Sequence, residues 1–420
     1  MFYTKVPINI EGIEKSFTVF NFTWKYLFEQ VRENLTFVFN NQREQLLTYL
    51  NFLIGECCEK QANNDSKIVF AAAGRSLFMG AKPLAHRLAQ LDYNVEYPYP
   101  EINITGPPSA KISEGDTIIA ISTSGRTASV VQKVEFGRTA SCDIIIESAR
   151  PESKISEGPY TVFLHVPDKL NEEKLKGSNA DLIFSPLGTN SEFTHAIFSE
   201  LLGRGLYEMK KNNKDADEAL KIMEKSMEQM ITTGESDLKK CVLDCVDDIK
   251  EFIANMILKF YSNHTIHLFG RGKIFDMQIA PFEMRLRQMP HGFITSIIDY
   301  ATMNRPVRAG QLVILSSGSG ALSMTAQKVK KLGAMIIGLT SQKQSPFYDL
   351  LDIKIHLGGR KSMKKYDWEL RQWKGGTSEW APEGSQFEIN GCVFFEAIFA
   401  AICDYAGVTE KDLAYGHVNL

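Results

Sequence analysis

The sequence predicts an α/β protein made of two domains of one fold, each a parallel sheet flanked by helices and preceded by a helical segment. Two observations carry this. First, the chain is written twice. Around residue 70 it reads KIVFAAAGRSLFMGAKPLAHRL, then GDTIIAISTSGRTASVVQ, then DLIFSPLGTNSEF; around residue 266 it reads TIHLFGRGKIFDMQIAPFEMRL, GQLVILSSGSGALSMTAQ and EWAPEGSQFEING. Arg75 and Arg271 are 196 positions apart, Ser124 and Ser319 are 195, and Glu192 and Glu388 are 196. Such a period is a domain, far longer than a solenoid repeat. Second, apolar strands alternate with helical stretches, the pattern of a parallel sheet covered on both faces. With 420 residues and 44% apolar content the chain can fill two cores.

Taken in order, residues 1–66 form a helical segment, because 18–62 lack proline and place Phe20, Trp24, Phe28, Val31, Leu35 and Val38 at helical spacing. Residues 67–207 form the first domain, with strands at IVFAAA, YNVEYP, DTIIAIS, CDIIIES and YTVFLHV. Residues 208–262 turn charged and amphipathic, and read as the leading helices of the second copy. The second domain, 263–420, carries strands at TIHLFG, GFITSII, QLVILSS, AMIIGLT and IKIHLG, and each copy closes on helices after Glu192 or Glu388. Between them, Lys361 to Gly384 is a polar, tryptophan-containing insertion that reads as a loop or lid.

Charge and composition narrow the function. With 47 basic against 50 acidic residues the net charge is −3, which gives no field for nucleic acid or an anionic membrane. The N-terminus has no signal-like apolar core, and no later run reads as the roughly 20 apolar residues that span a bilayer, so a cytoplasmic location is expected. The seven cysteines lack paired metal-ligand spacing, and read as buried free thiols; no metal site and no cofactor is expected.

The chemistry sits in the loops. DTIIAIS followed by TSGRTASVVQ is a strand, a loop of small hydroxyl and glycine residues, and a helix start. Unpaired backbone N–H groups, the helix dipole and the hydroxyls of Ser122, Ser124 and Thr127 around Gly125 suit a phosphate. A helix cap needs the same residue types, but two such loops at matched places, the second with Ser317 and Ser319, favour a ligand. No lysine follows a GxxxxG spacing, so this is not a nucleotide P-loop.

Gly74-Arg75-Ser76, the SxSGxT pattern from Ser122 to Thr127, PLGTxxE from Pro186 to Glu192, and the closing GVTEKDLAYGHVNL resemble the sugar isomerase (SIS) domain. They most resemble its 6-phospho-3-hexuloisomerase branch, whose chains are a single such domain. The resemblance covers roughly 65–205 and 263–420, and implies a flavodoxin-like fold, phosphosugar binding and often isomerisation. It assigns the proton transfer to Glu192, and to Glu388 in the second copy; one carboxylate can take a proton from one carbon and return it to the next. Arg75 and Arg271 would orient the sugar or steady the developing charge. The branch has a histidine in the helix after the Gly-Arg turn, where this chain has Gln90 and Gln288. His291 or His86 could stand in. The second copy also has Leu322 in place of Thr127, so the first loop is the fuller one.

The reading that results is a phosphosugar isomerase, with 3-hexulose 6-phosphate to fructose 6-phosphate as the preferred reaction. Its alternatives are a non-catalytic phosphosugar-binding regulator, or a phosphosugar deaminase or deglycase, for which Lys273 is the local amine. The partner expected is a phosphorylated sugar, and the family's assembly implies a homodimer of tandem-domain chains.

Overall fold

The computed structural model describes residues 8–64, 66–98, 111–186, 188–262, 264–290, 293–298, 305–360 and 385–417. In the first half four apolar runs form β1 (Ile68–Ala72), β2 (Thr117–Ser122), β3 (Asp143–Ser148) and β4 (Val162–His165), side by side in that order. In the second half β5 (Ile266–Phe269), β6 (Thr295–Ile297), β7 (Leu312–Ser316), β8 (Met335–Thr340) and β9 (Ile353–His356) lie in the order β6-β5-β7-β8-β9. Every pairing is parallel. The central strand β2 is buried along its whole length, as a parallel strand covered on both faces must be.

One expected strand differs. YNVEYP forms only a single bridge, Val95 to Ile68, whereas GFITSII, its counterpart, forms β6. Pro98 has no ladder donor, and Tyr97 is drawn toward the other half, where its hydroxyl donates to Asp276 Oδ2 at 2.9 Å.

The helices join the halves. The 32-residue helix Ile10–Asn41, capped by Asn9 on the Glu11 N–H, opens the chain yet packs chiefly on Gln386–Ala406, the helix that carries Glu388. Phe20 meets Phe394 edge-on with ring centroids 5.4 Å apart, and Asp404 accepts from Lys15 Nζ at 2.7 Å and Ser16 Oγ at 3.0 Å. Reciprocally, Ala216–Asp244, which leads into the second half, lies along Thr189–Asn212, the helix that carries Glu192. The leading helices are thus exchanged, and one buried apolar cluster runs through both halves, with a smaller cluster on the outer face of each sheet. Gln386–Ala406, with mean hydropathy 1.5, is the one helix among the described residues long and apolar enough to cross a membrane, against the expectation that no run would be. It is buried from Gln386 to Cys403 and forms the centre of the shared core.

Candidate functional site

The first loop leaves the carboxyl end of β2, where open parallel sheets place their ligands. Ser122 Oγ accepts from the Gly125 N–H at 3.1 Å and Ser124 Oγ from the Arg126 N–H at 3.3 Å. These bonds shape the turn and leave each hydroxyl its own proton to donate. Gly125 has φ +60°, and a Cβ there would fall 2.1 Å from Ser153 Oγ, so glycine is required. Thr127, exposed and extended, precedes the helix Ala128–Thr139 without a side-chain cap. Thr123 joins this loop to the helix bearing Glu192: its Oγ1 donates to Ser191 Oγ at 3.2 Å, and its methyl lies 3.1 Å from where a Gly188 Cβ would stand.

Glu192 is 8% exposed, in the first turn of its helix. Arg75 Nη1 lies 3.1 Å and Arg285 Nη2 3.8 Å from its Oε2, an oxygen that receives no hydrogen bond among the described residues. Burial raises the carboxyl to about 7, against the pull of the two arginines. Both arginines also hold Glu396, Arg75 through Nη2 and Arg285 through Nε at 3.3 Å. Arg285 further donates to Pro186 O at 2.9 Å, to Thr189 Oγ1, and through Nη1 to Gln288 Oε1 at 2.9 Å. Arg75, Thr189 and Glu192 come from the first half, Arg285 and Glu396 from the second.

The same network recurs with the halves exchanged. Arg87 binds Glu200, Gln90 Oε1 at 3.0 Å and Ser385 Oγ at 2.9 Å, and Lys273 Nζ binds Glu200 Oε1 at 2.8 Å and Ser385 Oγ at 2.9 Å. For Glu200 burial works upward, but Arg87 and Lys273 outweigh it and hold the carboxyl down at about 2. Burial and the neighbouring Arg87 lower Lys273 from its ordinary value, with Glu200 opposing.

This reciprocity revises one sequence equivalence. Gly74 and Gly272 open their turns with φ +57° and +58°, each followed by a π-helical turn, Leu77–Ala81 and Phe275–Ile279. Lys273, two residues beyond Arg271, therefore stands where Arg75 stands: Ile68 to Ile266, at the strand starts, and Gly74 to Gly272 are both 198 positions. Arg271 is exposed and lies over the Phe269 ring at 5.7 Å, and Ser76 is buried in the turn after Arg75.

In the second half Ser317 Oγ accepts from the Ala321 N–H at 3.0 Å, and Ser319 is half-buried. The loop is met by the chain's own Arg360. Its Cδ and Nε would lie 2.9 Å from a Cβ at Gly318, and its Nη2 donates to Glu388 Oε1 at 2.7 Å. Gln90 and Gln288 are both held by the arginine three residues earlier. His86 bonds Tyr97 at 3.1 Å and lies 3.6 Å from Asp276, neither of them a predicted site residue. His291 and the insertion 361–384 lie outside the described residues.

The sequence matches the SIS domain family over residues 62–169. It is 31% identical to the 3-hexulose-6-phosphate isomerase of Methylomonas aminofaciens over 142 residues, 33% of this chain and 71% of that protein. It is 30% identical to the 3-hexulose-6-phosphate isomerase of Bacillus subtilis over 162 residues, 38% of this chain and 81% of that protein. The chain belongs to the SIS domain family. Among solved structures, the C-terminal domain of glucosamine-fructose-6-phosphate aminotransferase from Francisella tularensis shares the fold over 90% of this chain and 96% of that one, with TM-score 0.51 at 12% identity. A candidate tagatose-6-phosphate ketose/aldose isomerase from Clostridium novyi does so over 92% and 89%, with TM-score 0.59 at 16% identity.

Within this SIS-domain chain, sequence reasoning missed Arg87, Arg285, Glu200 and Glu396. The signal was present: each arginine recurs in the paired helices HRLAQL and MRLRQM, and each glutamate recurs eight residues after Glu192 or Glu388, on the same helix face. Arg360 had a weaker signal: it stands four residues after His356 of IKIHLG, as Lys169 stands four residues after His165 of YTVFLHV.

Proposed function

We propose that the chain isomerises a phosphosugar at the first loop, with Glu192 as the proton-transferring base. The observation that supports this most is the junction at Thr123 and Ser191, which joins the hydroxyl-rich first loop to the helix turn that carries Glu192, a carboxyl raised to about 7. The loop and the uncapped helix start would take the phosphate. Ionised Glu192 would remove the proton from the carbon beside the carbonyl, the electron pair passing to the carbonyl oxygen as an enediolate. Returning that proton to the former carbonyl carbon, while the proton of the adjacent hydroxyl passes to the former carbonyl oxygen, completes the isomerisation with no net change in atoms or electrons. Arg75, buried beside Glu192, would steady the enediolate charge. Conversion of 3-hexulose 6-phosphate to fructose 6-phosphate is the first reaction to try, since two relatives carry that activity in their names.

One observation favours the regulatory alternative: Gln90 and Gln288, at the branch's histidine position, are held by arginines and exchange no protons. The deaminase reading is the weaker, because Lys273 is already bound by Glu200 and Ser385. Thermal unfolding with a panel of phosphosugars, and the matching unphosphorylated sugars as controls, tests the ligand class by mass action. Only the phosphorylated members should raise Tm; an equal response to both sets removes the phosphate-loop assignment. Turnover of a binding phosphosugar then separates an enzyme from a regulator.

A further inference from the structure

A second pair of buried polar groups lies behind the same junction. Glu147 projects from β3 and is fully buried; its Oε1 accepts from the Tyr49 hydroxyl at 2.9 Å. Its Oε2 and His195 Nε2 face each other at 3.6 Å, and neither has a hydrogen-bond partner among the described residues. His195 Nδ1 lies 2.7 Å from the Ser191 carbonyl oxygen, which can only accept, so Nδ1 carries a proton and in the neutral ring Nε2 has a lone pair. A lone pair facing an ionised carboxylate is repulsive, so the contact is satisfied only with a proton between the two atoms. Burial favours the uncharged arrangement: it raises Glu147 to about 7, opposed by the Tyr49 hydrogen bond, and lowers His195 to about 4, opposed by Ser191.

From His195 the contacts lead to the site. Ser191 Oγ lies 3.4 Å from His195 Nδ1 and accepts from Thr123 Oγ1 of the phosphate loop, while the Ser191 N–H donates to Asp168 Oδ1 at 3.0 Å. Ser191 immediately precedes Glu192. We propose that Glu147 and His195 form a proton-sharing pair that positions, through Ser191 and Thr123, both the Glu192 turn and the first phosphate loop. The second half supports this by contrast. By strand register Leu339 stands where Glu147 stands, paired to Ser316 as Glu147 is to Ile121, and Gly391 stands where His195 does. There a neutral amide does the bridging: Gln278 Nε2 donates to Phe387 O at 2.9 Å, as His195 donates to Ser191 O, and its Oε1 accepts from Ser316 Oγ at 2.6 Å. The titratable pair belongs to the half with the fuller loop.

This rests on the first loop binding phosphosugar, and the test separates the two. In E147Q the amide can donate to His195 Nε2 and accept from Tyr49, so it should keep the wild-type affinity within about twofold, whereas E147L should weaken phosphosugar binding by about tenfold or more, the effect of one lost positioning contact. Thr123→Val, which removes neither member of the buried pair, should weaken binding in the same way, and combining it with E147L should add little. Wild-type affinity in E147L and in Thr123→Val, or equal loss in E147Q and E147L, overturns the proposal. Nitrogen-15 shifts of His195 judge the pair even if no phosphosugar binds, an outcome that would sink the functional reading instead. A protonated Nδ1 with a hydrogen-bonded, bare Nε2 supports the pair; a bare Nδ1 contradicts it.

Discussion

Glu192, the proposed base, is an ordinary carboxyl altered by burial. Its raised value near 7 comes from lost solvation that Arg75 and Arg285 only partly offset, and a base is most effective when it releases its proton near the working pH. kcat/KM should therefore rise as pH increases through about 7, and E192Q should lower turnover by roughly 10² to 10⁴ while phosphosugar affinity persists. Stability should carry the matching sign. A carboxyl raised from 4.5 to about 7 contributes stability fully below 4.5 and loses it as pH rises through 7, so wild type should lose stability relative to E192Q across that window. Denaturant midpoints from pH 4 to 8 check it; a constant difference would mean Glu192 is not raised. Arg75 is the other decisive residue, since its removal leaves Glu192 and Glu396 buried with Arg285 alone. Arg75→Met should cost about 3–5 kcal/mol in unfolding free energy, the cost of breaking a buried pair from one side.

At the scale of single elements, the loop between β2 and Ala128–Thr139 is held by geometry that only glycine satisfies. Gly125→Ala should push against Ser153, destabilise by about 1–3 kcal/mol and abolish phosphosugar binding, whereas Ser124→Leu, at an exposed position, should abolish binding with little change in stability. Calorimetry with and without ligand separates the two; unchanged affinity in Ser124→Leu would reduce the loop to a helix start. The strands and this loop were legible in the sequence because a buried parallel strand is a short apolar run and a tight turn needs Gly and Ser. YNVEYP was not, since Pro98 and the pull of Asp276 on Tyr97 act from outside the local pattern. The register of the Gly-Arg turn was misjudged for a related reason. Identical letters aligned Arg75 with Arg271, while the backbone aligns the positive-φ glycines and so Arg75 with Lys273.

For the whole molecule, the duplication was plain in the sequence but its consequence was not, because nothing local says that a leading helix will lie on the other copy. Exchange of Ile10–Asn41 and Ala216–Asp244 gives both halves one core, and the reciprocal Arg75–Glu396 and Lys273–Glu200 contacts tie their sites. Unfolding should accordingly be a single cooperative transition by calorimetry; two resolved transitions would mean the halves stand alone. Within this paired frame the halves differ: the helix turn of Glu192 is joined to the first loop through Ser191 and Thr123, while Glu388 is held by Arg360, which also meets the second loop. The most direct test of that asymmetry is solvent-hydrogen exchange at the carbon beside the carbonyl of a bound phosphosugar, followed by NMR in deuterated water for wild type, E192Q and E388Q. Wild type and E388Q should exchange and E192Q should not; exchange that survives in E192Q but disappears in E388Q, or that wild type never shows with a phosphosugar it binds, would contradict the account.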